Sequence, residues 1–339
     1  MSNHKFSLPA ISMLLLLTFF SCKKTEYVKM EGMVWNTLFH ITYKGPASLR
    51  DSVLEVFDKV GKSLSVFDES SLVSALNKSD SVEPDRFLTE VYLSSKEINR
   101  ISNGSFDPTV SPLIDAWGFG KGHRPNSDTI AVDSVLTFVG INKTRYENGF
   151  IIKDDIRTKF NFSAIAKGYG ADMVGEMLER NGVEDYMVEI GGEIAVKGKS
   201  PGATGWKIAI DAPVEGNSPS ENVALIVEIS DCGLATSGNY RNYRKENGTT
   251  VAHTISPLTG KPFVSEILSA SVIAPTCMEA DALATACMAS PLESAKTIIS
   301  DYDGAQALFI LSDTIWMSSG FEELVITSEV SEPGRTIRN

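Results

Sequence analysis

Five short apolar runs crowd the second half of the chain: "DYMVEI" at 185–190, "WKIAIDA" at 206–212, "VALIVEIS" at 223–230, "SASVIAP" at 269–275 and "AQALFILS" at 305–312. They read as strands. Helical periodicity lies around them. Leu49, Val53, Val56, Phe57, Val60 and Leu64 fall on one face of 48–67, and Phe87, Val91, Ile98 and Ile101 on one face of 86–102, which "NG" at 103–104 closes. "SAIAKGYGADMVGEMLERNG" (163–182) reads as a loop turning into a helix that ends at Asn181–Gly182, and further helices start near Met278 and Pro291. "MVWNTLFHITYK" (33–44) is a further strand candidate. Helices before and after a strand-rich middle predict an α+β or mixed α/β domain rather than a regular βαβ alternation.

The N-terminus stands apart. Lys5 precedes the apolar run "ISMLLLLTFF" (11–20), followed by Ser21 and Cys22. The run is shorter than the about 20 apolar residues a spanning helix needs, and fits an export signal. A small residue before Cys is the pattern of a lipoprotein signal, in which Cys22 becomes the lipidated first residue; plain secretion with cleavage near Ser21 is the alternative. The expected organisation is a signal peptide at 1–21, a tether at 22–30, a globular region at 31–328, long enough for one large domain or two small ones, and a frayed tail at 329–339. Cys232, Cys277 and Cys287 remain; three cannot all pair within the chain, and no obligatory disulfide is expected. Net charge is −12 with no basic cluster after the tether, which argues against a nucleic-acid partner. An acidic protein that binds an anion needs local help from a metal, a lysine or backbone N–H groups.

Five stretches are candidates for such chemistry. "NFSAIAKGYGAD" (161–172) puts Lys167 and Gly168 at a helix start, where small residues admit a ligand and free N–H groups suit a phosphate; a plain helix start reads the same way. "EIGGEIAVKG" (189–198) alone is a hairpin turn. "ATSGNYR" (235–241) is a polar small-residue turn, and "HTISPLTGKP" (253–262) joins His253 to a rigid Pro and Gly turn. In "EADALATA" (279–286), Asp281 and Thr285 are four apart and share one helix face. Two hard oxygens there suit Mg²⁺ or Ca²⁺; a helix with a Thr hydroxyl bonded to its own backbone is the alternative. No His/Cys/Asp cluster has zinc-ligand spacing.

Taken in order, "SVFDESSLVSALN" (65–77), "GSFDPTVSPLIDAWGFG" (104–120), "NFSAIAKGYGAD", "EIGGEI", "ATSGNYR", "HTISPLTGKP" and "ADALATA" resemble the ApbE family of FAD:protein FMN transferases across nearly the whole chain after residue 30. The resemblance implies an ApbE-like, T-fold-related α+β domain of mixed sheets with flanking helices and an active site in a cleft between two subregions. It implies FAD as substrate with Mg²⁺ as cofactor, and FMN transfer to a Thr or Ser of an acceptor protein outside the cytoplasm with release of AMP. The acceptor would be a membrane redox subunit or an FMN-binding domain. It places the metal on Asp281, Thr285 and the Ala164 carbonyl. FAD contacts fall on Phe67, Ser105, Phe106, Asp107, Asn161, Lys167 and Ile255. With Asp281, His253 completes the catalytic pair, as acceptor of the attacking hydroxyl's proton. Phe67 and Phe106 are stacking candidates, with Trp117 and Phe119 supporting the loop from behind. A lipid anchor at Cys22, facing the periplasm or exterior, suits the family. The chain departs from the family's usual residues at Trp35-Asn36, where Met-Gly is common, at Asn161 (often Asp) and at Leu258 (often Arg). Rival readings are a Mg²⁺-dependent FAD pyrophosphatase and a non-catalytic FAD-binding lipoprotein.

Overall fold

The structure, a computed structural model, describes residues 26–118, 132–212, 223–238, 243–246, 249–252, 254–328 and 336–338. Nine strands form the central sheet, in the order Tyr27–Val34, Thr37–Lys44, Tyr186–Ile190, Glu193–Lys197, Cys232–Gly238, Ser269–Ala274, Gln306–Ile310, Thr314–Met317 and Thr336–Arg338. Every neighbouring pair is antiparallel except the last. A three-stranded sheet of Trp206–Asp211, Val223–Ile229 and Val325–Ser328 forms a second layer, and a small sheet of Ser81–Val82, Thr144–Glu147 and Phe150–Lys153 lies apart.

Strand alternation sorts the core. Ile194, Val196, Leu234, Ile273, Leu308 and Ile310 face the three-stranded sheet, where they meet Trp206, Ile208, Ile210 and Val227. The intervening positions, Ala195, Ala235, Ala270, Val272, Ala274 and Ala307, join the cores on the helical side. Both faces are therefore covered, which is why "SASVIA" is buried at every position and reads as a continuous run rather than an alternation. Alanine on the helical side lets the helices Ala166–Arg180 and Cys277–Met288 lie close to the sheet.

Those two helices cross where Gly168 stands. A β-carbon there would lie 2.2 Å from the Cys277 carbonyl oxygen and 2.9 Å from Asp281 Cβ. Only glycine permits the approach.

Several expectations change. The run 33–44 is not one strand: Trp35 and Asn36 take positive φ (48° and 64°) and turn the chain into a hairpin. Asn tolerates that conformation; Trp35 is held in it by packing, its indole edge-on to Phe57 at 5.6 Å and close against the helix at Gly170. In "ATSGNYR", residues 235–238 continue a strand rather than a turn, because they pair with Ser269–Val272. Within the tail expected to fray, Thr336–Arg338 pair with Thr314–Trp316. The other strands and helices fall within a few residues of the positions read from periodicity. No helix among the described residues is long and apolar enough to cross a membrane; Cys22 and the signal segment lie outside the described residues.

Candidate active site

A cleft of about 630 Å³ lies between the helix-and-sheet body and a satellite core built on Leu113, Phe138, Val139 and Ile255. Its walls contain Phe67, Ser105, Phe106, Asp107, Asn161, Ala164, Lys167, Ile255, Asp281 and Thr285. Seven separate stretches of sequence meet there. His253 lies outside the described residues, though its neighbours Thr254 and Ile255 line the cleft.

The floor is built by the helix Cys277–Met288. Thr276 caps it in a reciprocal box with Glu279: the Thr hydroxyl accepts from the Glu279 N–H at 3.2 Å, and the Glu carboxylate accepts from the Thr276 N–H at 3.1 Å. Asp172, from the facing helix, accepts from the Cys277 and Met278 N–H groups at 2.9 and 2.7 Å. Burial nevertheless pushes Asp172 up to about 7, against the pull of those two bonds. With its N-terminus so fixed, the helix presents Asp281 and Thr285 one turn apart. Thr285 Oγ1 lies 3.4 Å from Ser237 Oγ on the neighbouring strand.

Asp281 is almost fully buried. Its Oδ2 accepts from the Gly168 N–H at 3.1 Å, so this helix-start N–H serves the carboxylate and not a ligand. Lys167 sits 3.8 Å from the same oxygen and 2.6 Å from Glu193 Oε1. Burial lowers the Lys167 pKa, but the Asp281 and Glu193 charges more than offset it, so the ammonium stays charged above the usual lysine range. Burial raises both carboxylates, and the lysine draws them back only in part.

Glu193 was not among the residues expected from sequence. It opens the strand after the Gly191–Gly192 turn (φ 64° and 98°), lines the cleft, and its Oε2 is buried with no hydrogen-bond partner. The signal in the sequence was a carboxylate directly after a Gly-Gly turn.

On the opposite wall Asp107 and Phe106 line the cleft and also serve the fold. Asp107 spends both oxygens on the loop: Oδ1 accepts from the Thr109 N–H and hydroxyl at 2.8 and 2.6 Å, Oδ2 from the Ile141 N–H and Asn99 Nδ2 at 2.9 and 3.2 Å. Burial raises its pKa in spite of those bonds. Phe106 is only 2% exposed and packs in the main core, whereas Phe67 is 68% exposed and lines the cleft; of the two stacking candidates only Phe67 is on the surface. Its loop is tied by Ser71 and Ser74, whose hydroxyls donate to the Ser65 and Asp68 carbonyls at 2.7 Å each. Trp117 supports the wall from behind, as expected, donating its indole N–H to the Gly260 carbonyl at 2.7 Å; Phe119 lies outside the described residues.

Asn161 and Ala164 are positioned by a clamp from a distant motif. Asn77 donates to the Phe160 carbonyl at 2.8 Å and accepts its N–H at 2.7 Å. The Asn161 N–H donates to the Pro108 carbonyl at 2.7 Å, and its side-chain oxygen accepts from the Ser163 N–H at 2.9 Å. Ser105 is joined to the end of the Asp281 helix by a 2.8 Å bond from Ser290. Trp35 is not part of the cleft wall. Among the described residues no three His, Cys, Asp or Glu side chains group as metal ligands; what the cleft offers a cation is a mixed oxygen set of carboxylate, hydroxyl and backbone carbonyl.

The chain is similar to known proteins over most of its length. The chain is 35% identical over 295 residues to a Vibrio cholerae protein named FAD:protein FMN transferase, covering 83% of this chain and 86% of that one. A Haemophilus influenzae protein of the same name is 31% identical, with 94% and 98% covered. Among solved structures, the flavin transferase ApbE from Vibrio cholerae superposes with a TM-score of 0.77 at 29% identity, over 88% of this chain and 99% of that one. The apo flavinyl transferase ApbE of Pseudomonas stutzeri gives 0.79 at 27% identity, over 88% and 96%. The profile of the ApbE family matches residues 35–309. The chain belongs to the ApbE family.

Proposed function

We propose that the chain transfers FMN from FAD to a Thr or Ser hydroxyl of an acceptor protein, forming a phosphoester and releasing AMP, with Mg²⁺ as cofactor. The observation that carries this reading is the convergence of Asp281, Thr285, Ala164 and Lys167 on one wall of a cleft that exposed Phe67 also lines. The names of the curated relatives support the same activity.

The donor set fits Mg²⁺. Asp281, Thr285 and the Ala164 carbonyl are hard oxygens, and Mg²⁺ usually takes few protein ligands. The partnerless Glu193 oxygen beside them is a further sign of a site that lacks positive charge. When bound, the cation would polarise pyrophosphate oxygens and offset charge building on the departing AMP. The remaining work falls to the chain. Lys167, held in its charged form by Asp281 and Glu193, counters phosphate charge in the cleft. Phe67 offers a face for the flavin ring. The acceptor hydroxyl attacks the phosphorus on the riboflavin side, the bond to the bridging oxygen breaks, and AMP leaves with that oxygen. The hydroxyl's proton needs an acceptor, and it goes to His253, next in sequence to the cleft-lining Thr254 and Ile255, a role of general base typically worth ~10²–10⁴-fold. Such transfer depends on positioning and charge stabilisation more than on covalent help.

Co-expression with a Thr-bearing flavoprotein domain should yield covalent in-gel flavin fluorescence, and Asp281→Ala should abolish it while circular dichroism stays unchanged; persistent transfer would overturn the metal role. Incubation with FAD alone separates the pyrophosphatase reading, which requires sustained AMP release without acceptor. We further place the protein on the outer side of a cell membrane through a lipid on Cys22. Cys22→Ser should then release it from the membrane fraction.

A further inference from the structure

Glu193 carries a carboxyl group that the reaction as drawn does not use. It lies at the base of the cleft with its side chain 7% exposed, pairs with Lys167 at 2.6 Å, and leaves Oε2 buried and without a partner. Asp281 reaches the same ammonium from another element at 3.8 Å. One lysine thus faces two carboxylates, and the nearer carboxylate is not the proposed metal ligand. In a dry site an unmatched acceptor favours a cation, or a water carried by one, and disfavours phosphate oxygens, which are acceptors too.

We infer that Glu193 couples dinucleotide binding to cation binding: it engages the Lys167 ammonium and opposes an incoming pyrophosphate until a divalent cation enters the cleft. The inference rests on the proposed reading of the cleft as an FAD–Mg²⁺ site. Its consequence is reciprocal. Mg²⁺ tightens FAD, and FAD tightens Mg²⁺, by one factor. An enzyme built this way binds FAD more weakly when the metal is lacking.

Removing the carboxylate while keeping shape weakens the coupling. Glu193→Gln retains an oxygen for Lys167 but no charge, and Glu193→Asp retains charge on a shorter arm. FAD binding is measured by flavin fluorescence titration in EDTA and in saturating MgCl₂, with the fold checked by circular dichroism. In the wild type, Mg²⁺ should tighten FAD by a factor within the usual coupling range of about 5–150-fold. In Glu193→Gln the EDTA affinity should rise and the factor should fall at least about fivefold, while Glu193→Asp keeps most of the wild-type factor. An unchanged factor in Glu193→Gln, or weaker FAD binding in EDTA, overturns the coupling and leaves the cleft assignment standing. Absence of FAD binding by the wild type in both media overturns the cleft assignment and the coupling with it.

Discussion

The close crossing at Gly168 can be tested by adding one methyl group. In Gly168→Ala the new β-carbon starts 2.2 Å from the Cys277 carbonyl oxygen, 2.7 Å from its carbon and 2.9 Å from Asp281 Cβ. A carbon–oxygen contact relaxes only near about 3.3 Å, so the crossing must open by about 1 Å. The obstacle is backbone, in a helix end pinned by Asp172 and the Thr276–Glu279 box, so it cannot swing aside as a side chain would. Overpacking of this kind costs about 1–3 kcal/mol, and the better helix propensity of alanine returns about 1 kcal/mol. The net loss is about 2 kcal/mol at the upper end, a fall of about 4 °C in Tm for a chain of this size. The larger effect is functional. Opening the crossing strains the 3.1 Å bond from the Gly168 N–H to Asp281 and moves the carboxylate, and a misplacement of about 1 Å can cost ~10²-fold in rate. The assay is a thermal melt with and without FAD plus Mg²⁺, beside the in-gel flavin transfer assay. Gly182→Ala is the control: its φ of +78° is strained for alanine, but nothing lies within 4 Å of the new carbon, so it should lower Tm and leave the ligand-induced gain intact. A Gly168→Ala protein that melts with the wild type and keeps the full FAD–Mg²⁺ gain refutes the reasoning.

Two further outcomes follow from groups away from the chemistry. Trp35→Ala removes a ring lodged between Phe57 and Gly170; being only partly buried, it should cost less than the about 3–5 kcal/mol of a fully buried ring. FAD affinity should not change, since Trp35 is outside the cleft wall, and a fluorescence titration showing weakened binding would place it in the site after all. Lys153 is pushed down to about 8 by burial, with Lys159 adding repulsion. Between that value and the unfolded lysine's about 10.4 the folded state binds fewer protons, so stability from this group rises with pH across that window. The melting temperature of wild type relative to Lys153→Met should climb from pH 8 upward; a flat difference would show that the ammonium is well solvated.

Much of the site was legible because its parts are local patterns. Asp281 and Thr285 share a face by the arithmetic of helix spacing, and the order of seven motifs pointed to the family whose profile matches the chain. What local pattern does not carry is which partner a polar group has already taken. Asp107 has the residue type of a ligand, yet Thr109, Ile141 and Asn99 occupy both its oxygens. The first of these bonds is an ordinary turn two residues long, detectable in principle from Asp-Pro-Thr; the others depend on how distant segments pack. Phe106 has the type of a stacking ring and is core, because the chain after Gly104 enters the body there.

Glu193 shows the converse limit. Nothing near it in sequence marks it as paired with Lys167, 26 positions earlier by number but on a different element. The pairing arises from topology: the strand Glu193–Lys197 lies between Tyr186–Ile190 and Cys232–Gly238, and the helices bearing Lys167 and Asp281 cross over that part of the sheet. The contact between those helices requires Gly168, so the glycine that looked like a phosphate-loop residue has a different task. It sets the distance at which one ammonium can face two carboxylates. The charge balance of the cleft is therefore fixed by a backbone approach that sets one ammonium between two carboxylates, rather than by any single acidic residue.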